Sequence, residues 1–156
     1  DEKAGNSLLY SMVMGNYTFG SRITGINDMP INDKLFILQS DIIKSAADKG
    51  PCVIIGRCGD YILREYDNVF RVFIHANKEA RIKRILSKGL CDEKKVSDFV
   101  TKRDKQRANY YNFYSNKRWD DLSNYHLTID SSEFDIDEVA EIIITAIGKI
   151  KPPAKK

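Results

Sequence analysis

Hydrophobic residues in the first half of the chain follow helical spacing and then form a continuous run. Four of them recur every three or four positions, as on one face of a helix: Leu35, Leu38, Ile42 and Ala46. Asn32 and Asp33 offer a helix cap before this pattern, and Gly50-Pro51 closes it. The spacing therefore predicts one helix that ends at Gly50.

Three short apolar runs are typical of β-strands. The first, Cys52–Ile55, has no polar position and is bounded by Pro51 and Gly56, which predicts a strand buried on both faces of a parallel sheet. Val69–Ile74 and His126–Ile129 predict the second and third strands.

Helical patterns follow the second and the third run. Asn77 is expected to cap one helix, and Asp92 to open a longer one that reaches about Tyr114. A D-x-x-E capping box at Asp135 predicts a last helix that ends near Gly148. Because strands alternate with helices, we expect an α/β fold with a parallel sheet covered by helices on both faces.

Length and composition agree with one globular domain. The chain has 156 residues, of which 42% are hydrophobic and 30% are charged. We expect a single domain over residues 1–150 and a disordered tail over residues 151–156, where prolines and lysines dominate.

The net charge and the cysteine content limit which binding partners and which cellular compartment are expected. The net charge of +3 is mild, so nucleic acid is an unlikely partner, and no apolar run is long enough for a membrane helix. The three cysteines, Cys52, Cys58 and Cys91, are odd in number and lack metal-site spacing, so we interpret them as small apolar fillers in a reducing cytoplasm.

The segment after the first predicted strand carries candidate binding residues. Gly56 lets the backbone turn tightly, Arg57 can grip a phosphate, and Asp60 can accept hydrogen bonds from a ribose or a base. Ligands of parallel sheets bind beyond the carboxyl ends of the strands, which favours a functional role. The alternative is a plain turn in which Arg57 pairs with Asp60.

Two predicted helices carry arginines at regular spacing. Arg81, Arg84 and Lys88 form one stripe, which is a solvated face unless it meets a nucleotide. On the longer helix, Arg103 and Arg107 continue the line of the apolar positions, and such arginines cost desolvation unless an anion meets them. Asp104 is expected to orient Arg107, and the alternative is an ordinary surface pair of these two residues.

The segment Gly15–Arg22 has part of the sequence pattern of a phosphate-binding loop. It has the G-x-x-x-x-G spacing, but it lacks the lysine that follows the second glycine in a P-loop. We therefore do not interpret it as an ATP site.

Several of these segments together resemble the cytidylate kinase-like family of P-loop nucleoside monophosphate kinases, over nearly all of the chain up to about Gly148. The matching stretches are Asn27-Asp28, Asn32–Leu35, Pro51–Leu63, Val72–Ala76, Arg81–Ile85, Asp104–Ala108, Tyr110–Tyr114 and Ile129–Ser132. The resemblance implies a three-layer parallel sheet of the P-loop kinase type and phosphoryl transfer from ATP, with Mg²⁺, to a pyrimidine nucleoside monophosphate.

The resemblance also implies roles for the candidate residues. Arg57 and Asp60, with Gly56, match the monophosphate site, and Asp104 and Arg107 match the D-x-x-R at which the arginine meets the transferring phosphate. Three further arginines are implied to serve the lid over ATP: Arg81, Arg84 and Arg103. Such chemistry depends on positioning and charge neutralisation, for which arginines are suited. No residue is implied as a metal ligand.

The family begins with a strand, a glycine-rich loop and a helix that have no counterpart in these 156 residues. We therefore expect the N-terminal strands and the P-loop to be absent from this chain, and the chain alone to be inactive as a kinase. In the family that strand lies between the strands expected at Cys52–Ile55 and Val69–Ile74. Either the chain is a truncated product, or another copy or another element completes the sheet.

Two rival functions stay open. One is a catalytically inactive nucleotide-binding or regulatory module that keeps the monophosphate site. The other is a nucleic-acid-binding domain that uses the basic-flanked tyrosines of Tyr110–Tyr114, although Asp120 and Asp121 follow closely.

Overall fold

The chain divides into two compact units, Asp1–Leu63 and Arg64–Lys156. A computed structural model describes residues 30–150. The loop-like segment Gly15–Arg22 and the tail at 151–156 lie outside the described residues, so the predictions made for them stay predictions.

The first unit contains helix α1, Ile31–Lys49. The helix begins after Pro30, whose carbonyl oxygen accepts the first backbone bonds from Asp33 and Lys34, so the predicted cap at Asn32 and Asp33 is wrong. The reason is that the proline ring fixes φ of Pro30 near the helical value, at −54°, so the helix starts directly after this residue. Asp33 consequently lies inside the first turn. The predicted end is confirmed, because Gly50 is the C-terminal cap residue.

The predicted strand at Cys52–Ile55 is wrong for the described part of the chain. These residues belong to no strand, and Val53 and Ile55 are 90% and 87% exposed instead of buried. Ile54 alone turns inward, toward Gly59. An apolar run expresses a preference for burial, but a strand also needs a neighbouring chain for its backbone groups, and no described residue supplies one. A four-residue helix, α2, Gly59–Ile62, follows and packs against α1.

The second unit contains a parallel pair of strands, β1, Val72–His75, and β2, Leu127–Asp130. Val72 is opposite Leu127, and His75 is opposite Asp130. The strands begin later than the predicted starts at Val69 and His126. The carbonyl of Arg71 accepts bonds from the amides of both His126 and Leu127, and the regular ladder starts only after this shared acceptor.

Three helices and a short 3₁₀ turn at Leu122–Asn124 complete the second unit. Helix α3 spans Lys78–Ser87, helix α4 spans Val96–Ser115 and helix α5 spans Ile136–Ile147. Asn77 caps α3 by accepting the Ala80 amide, and α5 begins with the expected capping box; both predictions are confirmed. The longer helix starts at Val96 and not at Asp92, because residues 93–95 form a turn.

The core of the second unit is formed by residues of α4, β2 and α5. Its buried apolar side chains are Val96, Val100, Tyr111, Ile129 and Val139. Helix α3 packs against α4. Over the described residues the protein is therefore a mostly helical α/β structure with a two-stranded parallel sheet, which confirms the predicted class in its coarse form.

Candidate functional site

In the first unit, a left-handed turn presents the predicted monophosphate residues. Gly56, Arg57 and Cys58 have φ angles of 68°, 56° and 56°, so three consecutive residues lie in the region that favours glycine. For an L-residue this conformation costs about 1–2 kcal/mol. Strain of this kind is often found at functional sites, because the surrounding structure must hold it in place.

The residue after this turn has to be small. A Cβ atom at Gly59 would lie 2.7 Å from Cγ2 of Ile54, well inside van der Waals contact. Gly59 therefore lets the inward-facing Ile54 approach the start of α2, and it sets the point at which the chain leaves the turn.

The Cys58 thiol is buried under this turn. Burial, together with the negative charge of Asp60, raises the pKa of the Cys58 thiol to about 12, and the positive charge of Arg57 opposes the rise. The Cys58 thiol therefore stays neutral, and Cys58 serves as a small buried side chain, as predicted. Cys52 is exposed, so the prediction that all three cysteines are apolar fillers is wrong for Cys52.

In the second unit, the carboxylate of Asp104 is held by Arg81 of α3. Nη1 of Arg81 donates to Oδ1 and Oδ2 of Asp104 at 2.7 and 2.6 Å. Each side chain is about one-third exposed, at 31% and 30%. Asp104 was expected to orient Arg107, but its ionic partner in the structure is Arg81, 23 residues earlier. Arg107 is exposed and forms no ion pair within the described part of the chain.

The Arg81–Asp104 pair leaves one buried donor of the guanidinium group without a partner among the described residues. Nε of Arg81 is buried and has no hydrogen-bond partner among the residues that the structure describes. A buried donor without an acceptor costs about 1–3 kcal/mol, so this part of Arg81 is suited to an additional acceptor.

The other predicted lid arginines have different contacts. Nη2 of Arg84 donates to the backbone carbonyl of Ser131, at 3.2 Å, and this ties α3 to the turn after β2. The guanidinium group of Arg103 lies over the Phe99 ring, 5.2 Å from its centre. The structure therefore links Arg81 with Asp104 and Arg84 with Ser131, and it holds Arg103 along its own helix.

The carboxyl ends of the two strands meet in a network of short hydrogen bonds. The amide and the hydroxyl of Ser131 both donate to the carbonyl of His75, at 2.7 and 2.9 Å. The Ser132 hydroxyl donates to Asp130 and accepts the Asn77 amide at 2.8 Å. Hydrogen bonds from Ser132 lower the pKa of Asp130. Sequence reasoning did not select these residues as a site, although Ile129–Ser132 was part of the matching pattern.

Similarity to known proteins extends over both units. The sequence profile described as the cytidylate kinase-like family matches residues 1–133. The chain belongs to the cytidylate kinase-like family. The matched region contains the Gly56–Asp60 turn and both arginine-bearing helices, and it stops before α5.

Two relatives carry the name cytidylate kinase. The protein from Methanosarcina barkeri is 31% identical over 106 residues, which are 65% of this chain and 57% of the relative. The protein from Methanoculleus marisnigri is 26% identical over 122 residues, 78% of this chain and 65% of the relative. The chain thus spans somewhat less than two thirds of the length of these curated relatives.

A solved structure with no assigned function has the same fold. It is an uncharacterized protein from Eubacterium ventriosum, 31% identical, with a TM-score of 0.71 over 77% of this chain and 76% of that one. Within residues 30–150, no helix of this family member is long and apolar enough to cross a membrane.

Proposed function

We propose that the intact protein transfers a phosphoryl group from ATP to a pyrimidine nucleoside monophosphate such as CMP. The observation that carries the proposal is the set of arginines on α3 and α4, with Arg81 fixed by Asp104 while its Nε–H has no acceptor among the described residues. Family membership and the two relatives named cytidylate kinase support the choice of reaction and substrate.

The arginines suit this reaction because phosphoryl transfer needs positioning and charge neutralisation more than a protein nucleophile. Asp104 neutralises part of Arg81 and holds it in one orientation, so little rotamer entropy remains to be lost when a phosphate oxygen binds. Arg107 is exposed and outside the ion pairs of the described residues, which leaves its charge for a ligand.

The Gly56–Asp60 turn is proposed to hold the monophosphate substrate. Its backbone is held in a costly conformation, and Arg57 and Asp60 both act electrostatically on the buried thiol of Cys58. In our proposal Arg57 binds the phosphate and Asp60 binds the ribose or the base.

ATP would bring Mg²⁺ to this reaction. Within residues 30–150, no three His, Cys, Asp or Glu side chains are grouped closely enough to hold a metal ion. Asp104, the carboxylate nearest the arginines, already accepts from Arg81. We assign the ion no step.

Binding of CMP to the 156-residue chain, measured by calorimetry, tests the substrate part of the proposal. We expect binding that weakens at least tenfold in Arg57→Ala and in Asp60→Asn. Lys44→Ala, an exposed charge on α1, is the matched control and should bind CMP as the unchanged chain does. Absence of binding by CMP, UMP and ATP would contradict the proposal.

The second candidate function is nucleotide binding without turnover. The 156 residues contain no G-x-x-x-x-G-K-[ST] sequence, so we expect this polypeptide by itself to bind nucleotide without turnover. A phosphoryl-transfer assay with ATP, Mg²⁺ and CMP separates the two candidates. We expect this chain to bind CMP and to form no CDP; steady CDP formation would show that the chain is active without that loop.

A further inference from the structure

One stripe of α4 carries aromatic and cationic side chains that the core does not use. Its members recur at spacings of four, three, four and three residues, which places them along one line of the helix: Phe99, Arg103, Gln106, Tyr110 and Phe113. We call this line the outer stripe. Phe113 is 73% exposed.

The outer stripe is separate from the side of α4 that holds the fold together. The buried residues of the helix are Val96, Val100, Tyr111 and Ser115. At 3.6 residues per turn, their mean direction differs from that of the outer stripe by roughly 100°. The stripe is therefore not needed to bury α4 within its own unit.

The rings near the C-terminal end of α4 form an aromatic edge. The centres of Tyr110 and Tyr114 are 4.9 Å apart, and so are those of Phe113 and Tyr114, whose planes are nearly perpendicular at 88°. Tyr110 and Tyr114 are half-buried, so they support Phe113 while it projects outward. The ring of Phe113 thus presents a supported apolar face to solvent.

The segment that contains α3 and α4 is rich in positive charge. Residues 78–115, which contain α3 and α4, hold eleven Lys and Arg residues against five Asp and Glu residues, a net charge of +6. The whole chain has a net charge of only +3, so all other residues together carry −3. Lys102 lies beside the outer stripe and Lys117 follows its end; both are exposed and form no ion pair among the described residues.

We propose that the outer stripe binds single-stranded nucleic acid, with a base stacked on Phe113 and phosphates near Lys102, Arg103 and Lys117. Aromatic rings that alternate with cations are how proteins bind single strands, because every base has a face that can stack. From Phe99 to Phe113 the stripe is about 21 Å long at 1.5 Å per residue, long enough for several nucleotides. A duplex keeps its bases stacked on each other, so it cannot use Phe113 in this way.

Charge argues against a second copy of this chain as the occupant. Two copies that met through this stripe would bring two segments of net charge +6 together. The proposal shares only Arg103 with the residues to which the resemblance assigns a role, and the exposed ring of Phe113, on which it mainly rests, has no role in the proposed kinase function.

Fluorescence anisotropy with a 5′-labelled 12-nucleotide oligo(dT) in 50 mM salt tests the proposal. We expect saturable binding that weakens about fivefold or more in Phe113→Ala, since one stacked base is lost. Phe134→Ala, an exposed ring outside α4, is the matched control and should leave the affinity unchanged. Circular dichroism checks that both variants keep their helices.

The salt dependence of binding tests the electrostatic part of the proposal. Lys102→Gln should weaken binding uniformly and lower the slope of log affinity against log salt concentration by about one, whereas Lys149→Gln, an exposed lysine after α5, should not. A lack of binding at 100 µM protein, or equal affinity of Phe113→Ala and the unchanged chain, would overturn the proposal.

Three further results would also overturn it. The first is equally tight binding of a duplex of the same length. The second is complete displacement of the oligonucleotide by millimolar ATP, which would assign the binding to a mononucleotide site. The third is a dimer in sedimentation velocity that Phe113→Ala dissociates, which would identify the stripe as an interface between copies.

Discussion

Arg81 on α3 and Asp104 on α4 form a two-point ion pair, in which one nitrogen, Nη1, donates to both carboxylate oxygens at 2.7 and 2.6 Å. The pair joins two consecutive helices through residues that are 23 positions apart in the chain. It also gives Asp104 a partner other than Arg107, the residue that spacing within α4 suggested. Removing the Asp104 carboxylate therefore affects both the stability of the fold and the orientation of Arg81.

Asp104→Asn should lower the free energy of unfolding by about 1 kcal/mol, because an ion pair whose two side chains are each about one-third exposed is lost. Urea denaturation followed by circular dichroism measures the change. Glu141→Gln, an exposed carboxylate on α5, is the control and should shift the midpoint little. A midpoint as high in Asp104→Asn as in Glu141→Gln would mean that the pair adds no stability.

Gly59→Ala should destabilise the chain by about 1–3 kcal/mol, because the new methyl group would meet Cγ2 of Ile54 at 2.7 Å. Gly148→Ala is the matched control, because its Cβ would have no neighbour nearer than 3.6 Å and its φ of −64° is helical. Thermal denaturation of the two variants makes the comparison. Equal melting temperatures of the two variants would show that the Ile54 side chain moves to accommodate the added methyl group.

The Cys58 thiol should remain unreactive in the folded chain at pH 8, whereas the exposed Cys52 should react with a thiol reagent at once. The pKa of Cys58 is raised from 9.0 to about 12, so the folded state keeps a proton that the unfolded state loses above pH 9. The contribution of this group to stability is therefore full below pH 9 and falls as pH rises from 9 toward 12.

Alkylation rates between pH 7 and 10, read residue by residue by mass spectrometry, measure this difference. Cys58→Ala provides the control for stability, because that variant should lose this part of the alkaline pH dependence. Alkylation of Cys58 as fast as that of Cys52 in the native chain would contradict the expectation.

His126 should titrate below the usual range of histidine. Its Nδ1 accepts the Arg71 amide at 3.1 Å, and Nη2 of Arg71 lies 2.8 Å from Nε2. Burial, followed by the charge of Arg71, lowers the pKa of His126 from 6.5. A lowered histidine pKa means that the fold favours the neutral ring, so its contribution to stability is full above pH 6.5 and is lost as pH falls.

The ring proton signals of His126 in an NMR titration test this expectation directly. Arg71→Gln removes the charge and should move the midpoint toward 6.5, while the backbone amide can still donate to Nδ1. A midpoint at or above 6.5 in the unchanged chain would contradict the arrangement of His126 and Arg71.

Sequence reasoning succeeded where an element depends on near neighbours. Asn77 accepts an amide three residues later, and the Asp135 capping box closes within four residues, so both helix starts can be predicted from a few letters. It failed at Cys52–Ile55, because the residue types show that the run is apolar but do not show whether a neighbouring strand is present. The arginines were found as candidates because their spacing is visible, but their partners were not.

By itself, the sequence determined the family, the residues that carry charge, the turn residue Gly56 and several of the helix ends, because all of these depend on residue type and local spacing. Only the tertiary structure decided that Asp104 pairs with Arg81, that Arg84 holds the turn at Ser131, and that Phe113 faces solvent. The physical reason is distance along the chain. These contacts join residues 23 and 47 positions apart, and which of several arginines reaches one carboxylate depends on how the helices pack.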